Sequence, residues 1–141
     1  MERIEKAIDG RTVVGYRIRG TVYVNTTPHE IFFLNPDGGE EPVVLPPSGL
    51  VVNARTEELV VDREGEITFV RTGFFGDAET KKLLADVNAA FFEDGKKPII
   101  IGSIIAAQAY PGTVVALCPA PGFERVPPTE KRMLLNKFTV F

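Results

Sequence analysis

The sequence predicts an α+β fold: a mostly antiparallel β-sheet or a partly closed barrel of about seven to nine strands, with one main helix at about residues 77–93 and one short helix at about residues 103–110. Eleven prolines and thirteen glycines in 141 residues indicate many turns. Short alternating or wholly apolar segments lie between those turns, whereas a long apolar stripe at helical spacing occurs once. The length and even composition predict a single domain over residues 1–141.

The first part of the chain is expected to supply a terminal segment and two strands. Residues 1–10 are predicted to form a short helix or a mobile arm that ends at Gly10. Thr12–Asn25 alternates apolar and polar side chains, and its glycines at 15 and 20 indicate a bulge or a break into two strands.

A stiff β-meander follows. Glu30–Leu34 and Val43–Leu45 are predicted strands on either side of a turn at residues 35–39, where Asp-Gly and Gly-Gly adopt positive φ angles at little cost. The corner at Pro46–Gly49 is rigid because neither proline can donate to a ladder. It leads into a predicted strand at Leu50–Val52.

The next segment combines a hairpin and the main helix. Glu58–Asp62 and Glu66–Arg71 are predicted to pair around a turn at Arg63–Gly65. Asp77 is a suitable N-cap, and Gly95 is expected to end the helix. The apolar stripe of that helix comprises Leu83, Leu84, Val87 and Phe91.

The last third is predicted to hold two buried strands and a long loop. Pro98–Ile101 and Thr113–Cys118 are apolar, as strands in the middle of a sheet are. A short helix between them is capped by Ser103 and ends before Pro111-Gly112. Residues 119–136 are predicted to be a proline-rich loop region with a helical turn at Thr129–Leu135, and Lys137–Phe141 is a strand-like tail.

Two blocks, together about half of the chain, carry a family resemblance. They comprise Asn25-x-Thr27-Pro28-His29, Pro46-Pro47-Ser48-Gly49 and Ala54-Arg55 in the first block, and Ile99–Ala109 with the later Phe138 in the second. In these blocks the chain resembles a family of small phage and prophage proteins with no established activity. It departs from that family in a longer helix within Arg63–Asp94 and in Arg125–Asn136, where the family is glycine-rich. The resemblance implies a viral or mobile-element origin, of which a virus of thermophilic archaea is one form.

Composition excludes several classes of protein. The single cysteine, Cys118, rules out an internal disulfide framework and a cysteine-based zinc site, and its apolar strand predicts a buried, inert thiol. The longest apolar stretch, near Ile99–Ala109, is too short to span a membrane. The charged N-terminus has no signal-peptide core, so we expect a location in the host cytoplasm or in a virion. One Gln, two Met and no Trp are typical of thermophile proteins.

The central meander holds the candidate functional cluster. It comprises Asn25, Thr27, His29, Ser48 and Arg55. His29 is the only imidazole, and as a general base it would need an orienting carboxylate and a hydroxyl nucleophile such as Thr27 or Ser48. The alternative, which we favour, is that His29 has a structural role at the strand entrance. No catalytic residue, metal or cofactor is therefore predicted.

A second candidate is the turn that begins the short helix. Gly102 and Ser103 could bind an anion through helix N-terminal amides, although the turn has neither the Gly-x-Gly-x-x-Gly pattern nor a P-loop lysine. Asp37, Glu40 and Glu41 do not have the spacing of an EF-hand loop, so we expect them to form a solvated turn.

The net charge of −3 conceals an asymmetry. Residues 1–19 carry five basic and three acidic side chains. Residues 20–95 carry five basic and fourteen acidic side chains, and residues 96–141 carry six basic and two acidic side chains. Basic side chains are what a nucleic-acid surface needs, although the overall acidity opposes it. The candidates for nucleic-acid contact are Arg11, Arg17, Arg19, Arg125, Lys131 and Arg132.

Together these patterns favour a non-enzymatic viral or mobile-element protein that acts through protein–protein contacts. Its partner is expected to be a second copy of the chain, through an exposed edge strand such as Lys137–Phe141, or another viral or host protein. Nucleic-acid binding through the basic termini and hydrolysis centred on His29 remain alternatives, and no membrane association is expected.

Overall fold

The computed structural model describes residues 1–141 and confirms the α+β class, with ten strands and two helices. The strands are β1 (Glu2–Ile8), β2 (Arg11–Ile18), β3 (Thr21–Asn25), β4 (Ile31–Phe33), β5 (Val43–Leu45), β6 (Arg55–Glu64), β7 (Ile67–Phe75), β8 (Ile99–Ile101), β9 (Val114–Pro119) and β10 (Met133–Thr139). The helices are α1 (Ala78–Ala90) and α2 (Ile104–Ala109). Neither helix has the length and apolar character needed to cross a membrane.

Eight strands form one mixed sheet in the order β1-β2-β3-β8-β9-β10-β4-β5. The pairs β3–β8, β8–β9 and β10–β4 are parallel, and the remaining four pairs are antiparallel. The wholly apolar β8 lies in the middle of the sheet, as its composition predicted, and both of its neighbours run parallel to it. The other two strands, β6 and β7, form a separate sheet.

The large sheet curls strongly but does not close. Its terminal strands β1 and β5 have no partner on their outer sides. In a flat sheet β3 and β4 would lie roughly 20 Å apart, because three strands separate them. Instead the rings of Tyr23 and Phe33 are 6.3 Å apart, and the Tyr23 hydroxyl donates to the Leu135 carbonyl at 3.1 Å.

Strand alternation sends side chains into two cores. In β3, Val24 points to one side of the sheet and Tyr23 to the other, and Ile100 and Ile101 divide in the same way in β8. The first core lies against both helices and includes Ile8, Val13, Val22, Val24, Leu84, Val87, Phe91, Ile100 and Ala107. The second core fills the curl and comprises Ile18, Tyr23, Ile31, Phe33, Leu45, Ile101 and Leu135.

Both helices start where the sequence predicted. The Asp77 carboxylate accepts a hydrogen bond from the Thr80 amide at 2.6 Å, which lowers the pKa of Asp77. The Ser103 hydroxyl accepts from the Ala106 amide at 3.0 Å. Helix α1 ends earlier than predicted, however, and Gly95 does not terminate it. Gly95 instead lies with Asp94 in a separate tight turn, where both residues have positive φ angles.

Three further predictions for individual elements were wrong. Residues 1–10 form neither a helix nor a mobile arm, because β1 pairs with β2 along its whole length. Leu50–Val52 is buried at both ends but makes no ladder. Thr129–Leu135 is not a helical turn, since β10 begins at Met133 and ends the predicted loop region there. The loop is confirmed over residues 120–132, whereas Pro119 belongs to β9 and the Cys118 thiol, predicted to be buried, is only partly buried.

The hairpin of β6 and β7 projects from this structure. We call residues Arg55–Phe75 the arm and the remainder of the chain the body. The two strands pair from Arg55 with Phe75 to Glu64 with Ile67, with a β-bulge at Val61. The arm meets the body at its base, where β7 contacts α2. There Gly76 packs against the ring of Tyr110, whose hydroxyl accepts from the Asp77 amide at 3.0 Å.

Candidate functional site

The predicted cluster around His29 is held together by the side chain of Asn25. Asn25 is buried, and its amide nitrogen donates to the carbonyls of His29 at 2.7 Å and Leu45 at 3.3 Å. Its oxygen accepts from the backbone amide and the hydroxyl of Thr27, at 2.9 and 2.7 Å. These bonds fix the loop between β3 and β4, so Asn25 has a structural role.

Two other buried polar residues have the same function. The Ser48 amide donates to the Asn25 carbonyl at 2.8 Å, and its hydroxyl accepts from the Leu50 amide at 3.2 Å. Thr26, which sequence reasoning missed, donates its hydroxyl to the Ile101 carbonyl at 2.7 Å. No buried side-chain nitrogen or oxygen lacks a partner. The polar core is therefore satisfied internally and leaves no group aimed at a ligand.

His29 itself is exposed at the surface of this loop. Only its backbone is bonded: the carbonyl accepts from Asn25, and the amide donates to the Thr27 hydroxyl at 3.4 Å. The imidazole makes no hydrogen bond, so no carboxylate orients it for general-base chemistry. The fifth member of the predicted cluster, Arg55, lies at the start of the arm and pairs with Glu57 at 3.2 Å.

The exposed side of the loop borders an open, mainly apolar groove of about 440 Å³, which we call the His29 groove. It is lined by Thr27, Pro28, His29, Glu30, Ile31, Phe32, Ser103, Leu117, Pro128, Lys131 and Met133. The fold thus brings together residues from three separately predicted sites: His29, Ser103 and Lys131. Its apolar walls suit an apolar chain segment, and its charged groups are the Lys131 ammonium and the Glu30 carboxylate.

The predicted anion site at the start of α2 is occupied by the protein's own hydrogen bonds. The Gly102 amide donates to the Val115 carbonyl at 3.0 Å, and the Ser103 hydroxyl caps the Ala106 amide. A side chain on Gly102 would contact Val114 at 2.6 Å, so this glycine is explained by close packing.

Two arginines proposed for nucleic-acid contact are engaged in ion pairs. Arg17 forms a two-pronged pair with Glu93, at 2.7 and 2.8 Å, and also contacts Glu2. The hydrogen bonds to Glu93 and, second, to Glu2 raise the pKa of Arg17, and the hydrogen bond from Arg17 lowers the pKa of Glu93. Arg19 pairs with Asp37. Both guanidinium groups are therefore already neutralised by the protein.

The other four basic candidates do not form one surface with these. Arg11 lines a polar cleft in which four carboxylates, those of Asp9, Asp77, Glu79 and Asp86, outnumber the two basic side chains of Arg11 and Lys82. Lys131 lies in the His29 groove, and the Arg132 guanidinium is 5.7 Å above the Phe32 ring. Arg125 is exposed in the loop before β10.

The most unusual surface belongs to the arm, whose exposure the sequence did not predict. Every residue of β6 is exposed, as are most residues of β7. Seven large apolar side chains of the arm face solvent: Leu59, Val60, Val61, Ile67, Phe69, Val70 and Phe75. Leu59 and Ile67 are 64% and 59% exposed, values far from those of a packed hairpin.

The register of the arm divides these side chains between two faces. The Phe69 face carries the larger exposed apolar side chains, Leu59, Ile67, Phe69 and Phe75, together with the charged side chains of Arg55, Glu57, Asp62, Glu64 and Arg71. The opposite face carries Val60, Val70 and Phe74 together with Thr56, Thr68, Thr72, Glu58 and Arg63. The Phe69 face therefore holds the four bulkiest exposed apolar groups of the arm, and it is acidic near the turn at Gly65.

Comparisons with known proteins add no assignment. No protein-family profile, curated protein or solved structure matches the chain. The functional argument therefore depends on the fold and on these surfaces.

Proposed function

We propose that this chain is a non-enzymatic protein that acts through contacts with other protein chains, as a structural or accessory component of a virus or mobile element. The arm is its main contact element. The viral or mobile-element part of the proposal depends on the sequence resemblance, and the contact role depends on the arm.

One observation carries the contact role: a ten-residue strand and its nine-residue partner expose apolar side chains on both faces. An isolated two-stranded hairpin is marginally stable in water, because it buries too little apolar surface. Exposed apolar patches of this extent commonly mark protein interfaces. The arm therefore gains a stabilising environment when another chain covers it.

The proposal is tested by placing a photo-crosslinking amino acid at position 69 in cells that produce the protein naturally. We expect a covalent adduct with another protein chain, whatever its identity. The matched control is the same probe at position 5, an exposed position on the charged outer strand β1 of the body. Crosslinking from position 69 no stronger than from position 5 would contradict the proposal.

A further inference from the structure

The identity of the chain that covers the arm can be inferred from the rest of the surface. We propose that it is a second copy of this protein, and that the Phe69 face of each arm lies across α2 and the His29 groove of the other copy. This inference depends on the proposed contact role of the arm and specifies its partner.

The receiving surface is present on the same chain. Ile104 and Ile105 of α2 are 58% and 39% exposed, although the helix is short and otherwise packed. Ser103, directly before them, lines the His29 groove. The exposed isoleucines therefore lie next to the groove, whose apolar side chains include Phe32 and Met133. Together they offer the apolar surface that an apolar β-ribbon needs.

Charge complementarity favours the same arrangement. Asp62, Glu64 and Glu66 surround the turn of the arm, with Arg63 as the only basic side chain there. Lys131 and Glu30 both line the receiving groove, and the Arg132 guanidinium lies over the ring of Phe32 in the same groove. The acidic end of an arm would therefore meet two basic side chains, Lys131 and Arg132, against one carboxylate, which favours correct register and encounter.

The geometry allows a closed pair. The base of the arm contacts Tyr110 at one end of α2, and the groove begins at Ser103 at the other end, roughly 10 Å away along the helix. Because both surfaces lie beside α2, a two-fold axis there would let both arms dock at once, as symmetric dimers require.

The area agrees with a stable dimer. The four apolar side chains of the Phe69 face are between 44% and 64% exposed. If each side chain has a total surface of roughly 200 Å² and about half of it is exposed, the four side chains offer roughly 400 Å² of apolar surface per arm. Two arms and two receiving surfaces would together bury roughly 1,600 Å², the size of a standard specific interface.

The test is a charge exchange between Glu64 on the arm and Lys131 in the groove. Glu64→Lys and Lys131→Glu each place like charges at both contacts of a homodimer. Each variant should weaken dimerisation by about tenfold or more. An equimolar mixture of the two variants should form a heterodimer, because one contact is then reversed and the other is native. Its dissociation constant should return to within about threefold of the parent value.

The measurement is native mass spectrometry and sedimentation over a range of concentrations, with the folded state of each variant checked by circular dichroism. Glu58→Lys is the matched control, because it reverses a charge on the opposite face of the arm, and it should dimerise like the parent.

Restoration of dimerisation in the mixture supports the proposal. A monomeric parent at about 100 µM overturns it, as does sensitivity to Glu64→Lys with none to Lys131→Glu, which would indicate arm-to-arm packing. If the parent is monomeric and the probe at position 69 crosslinks to a different protein, the inference that the partner is a second copy is wrong, but the proposed function still holds.

Discussion

Two hairpins of this chain have similar local geometry and opposite surroundings. The β1–β2 hairpin and the arm each pair over seven or more positions around a tight two-residue turn. The first buries Ile8 and Val13 in the core beneath α1, whereas the second buries none of its strand residues. Pairing alone therefore forms a hairpin, but contact with a second layer decides whether its apolar face is covered.

The edges of the two sheets differ in the same way. The outer strand β1 is charged at Glu2, Arg3, Glu5 and Lys6, and β5 at the other edge is three residues long with prolines before and after it. Such features discourage pairing with another chain. The arm has no comparable protection along Leu59–Val61, which fits a role in binding rather than in avoiding it.

The largest expected effect separates a phenylalanine of the body from one of the arm. Phe91 is 2% exposed, and Phe91→Ala should lower the free energy of unfolding by about 3–5 kcal/mol, because it leaves a cavity beside β2. Phe69→Ala should change it by about 0.5 kcal/mol or less at concentrations where the chain is monomeric. Denaturant unfolding measures both, and a large loss for Phe69→Ala in the monomer would mean that the arm packs on its own body.

The same contrast divides the predicted functional cluster. Asn25→Ala should cost about 2–4 kcal/mol, because the buried carbonyl of Leu45 and the amide of Thr27 lose their partner. His29→Ala should have almost no effect on stability, since the imidazole is exposed and unbonded. Thermal unfolding of both variants checks this, and equal costs would contradict the structural role assigned to Asn25.

Two glycines provide a smaller, matched comparison. A Cβ on Gly15 would lie 2.8 Å from the buried ring of Phe91, and a Cβ on Gly73 would lie 2.7 Å from the exposed ring of Phe75. Gly15→Ala should therefore cost about 1–3 kcal/mol, because the ring of Phe91 cannot move away. The ring of Phe75 can swing into solvent, so Gly73→Ala should be neutral or slightly stabilising. A comparable cost for both in chemical denaturation would show that the base of the arm is as tightly packed as the body.

The smallest effect concerns acid stability. Arg17 lowers the pKa of Glu93 and thereby links β2 to the turn after α1. The pKa of Glu93 in the folded state lies below its ordinary value of 4.5. The ion pair's contribution to the free energy of unfolding is therefore complete above that pH, and it is lost as the pH falls through the lowered pKa. Glu93→Gln should make the unfolding midpoint less dependent on pH in this range. An unchanged pH profile for Glu93→Gln would contradict the linkage.

The fold class and most elements could be predicted from sequence because their signals are local. The Asp77 carboxylate marks the start of α1, and the Ser103 hydroxyl marks the start of α2. The apolar Ile99–Ile101 marks a central strand. The strand β1 was missed because Ile4 and Ile8 are four residues apart, a spacing that places them on one face of either a helix or a strand.

The surfaces could not be predicted, because they depend on contacts between distant segments. The apolar run Leu59–Val61 and the turn at Arg63–Gly65 predict a hairpin but do not reveal that neither of its faces is covered. The ion pair of Arg17 joins residues 76 positions apart. His29 and Ser103 meet in one groove because the parallel strands β3 and β8 end side by side, where the Thr26 amide donates to the Ile101 carbonyl at 2.8 Å, and strand patterns alone do not reveal which strands pair.

The most direct test of the central claim is hydrogen exchange of backbone amides, measured for both hairpins over a range of protein concentrations. The β1–β2 amides should be protected at every concentration, because their hairpin belongs to the core of one chain. The amides of Leu59–Phe69 should exchange rapidly in dilute protein and become protected as the concentration rises, because a second copy then covers the arm. Arm amides whose exchange rate does not change with concentration would contradict the account.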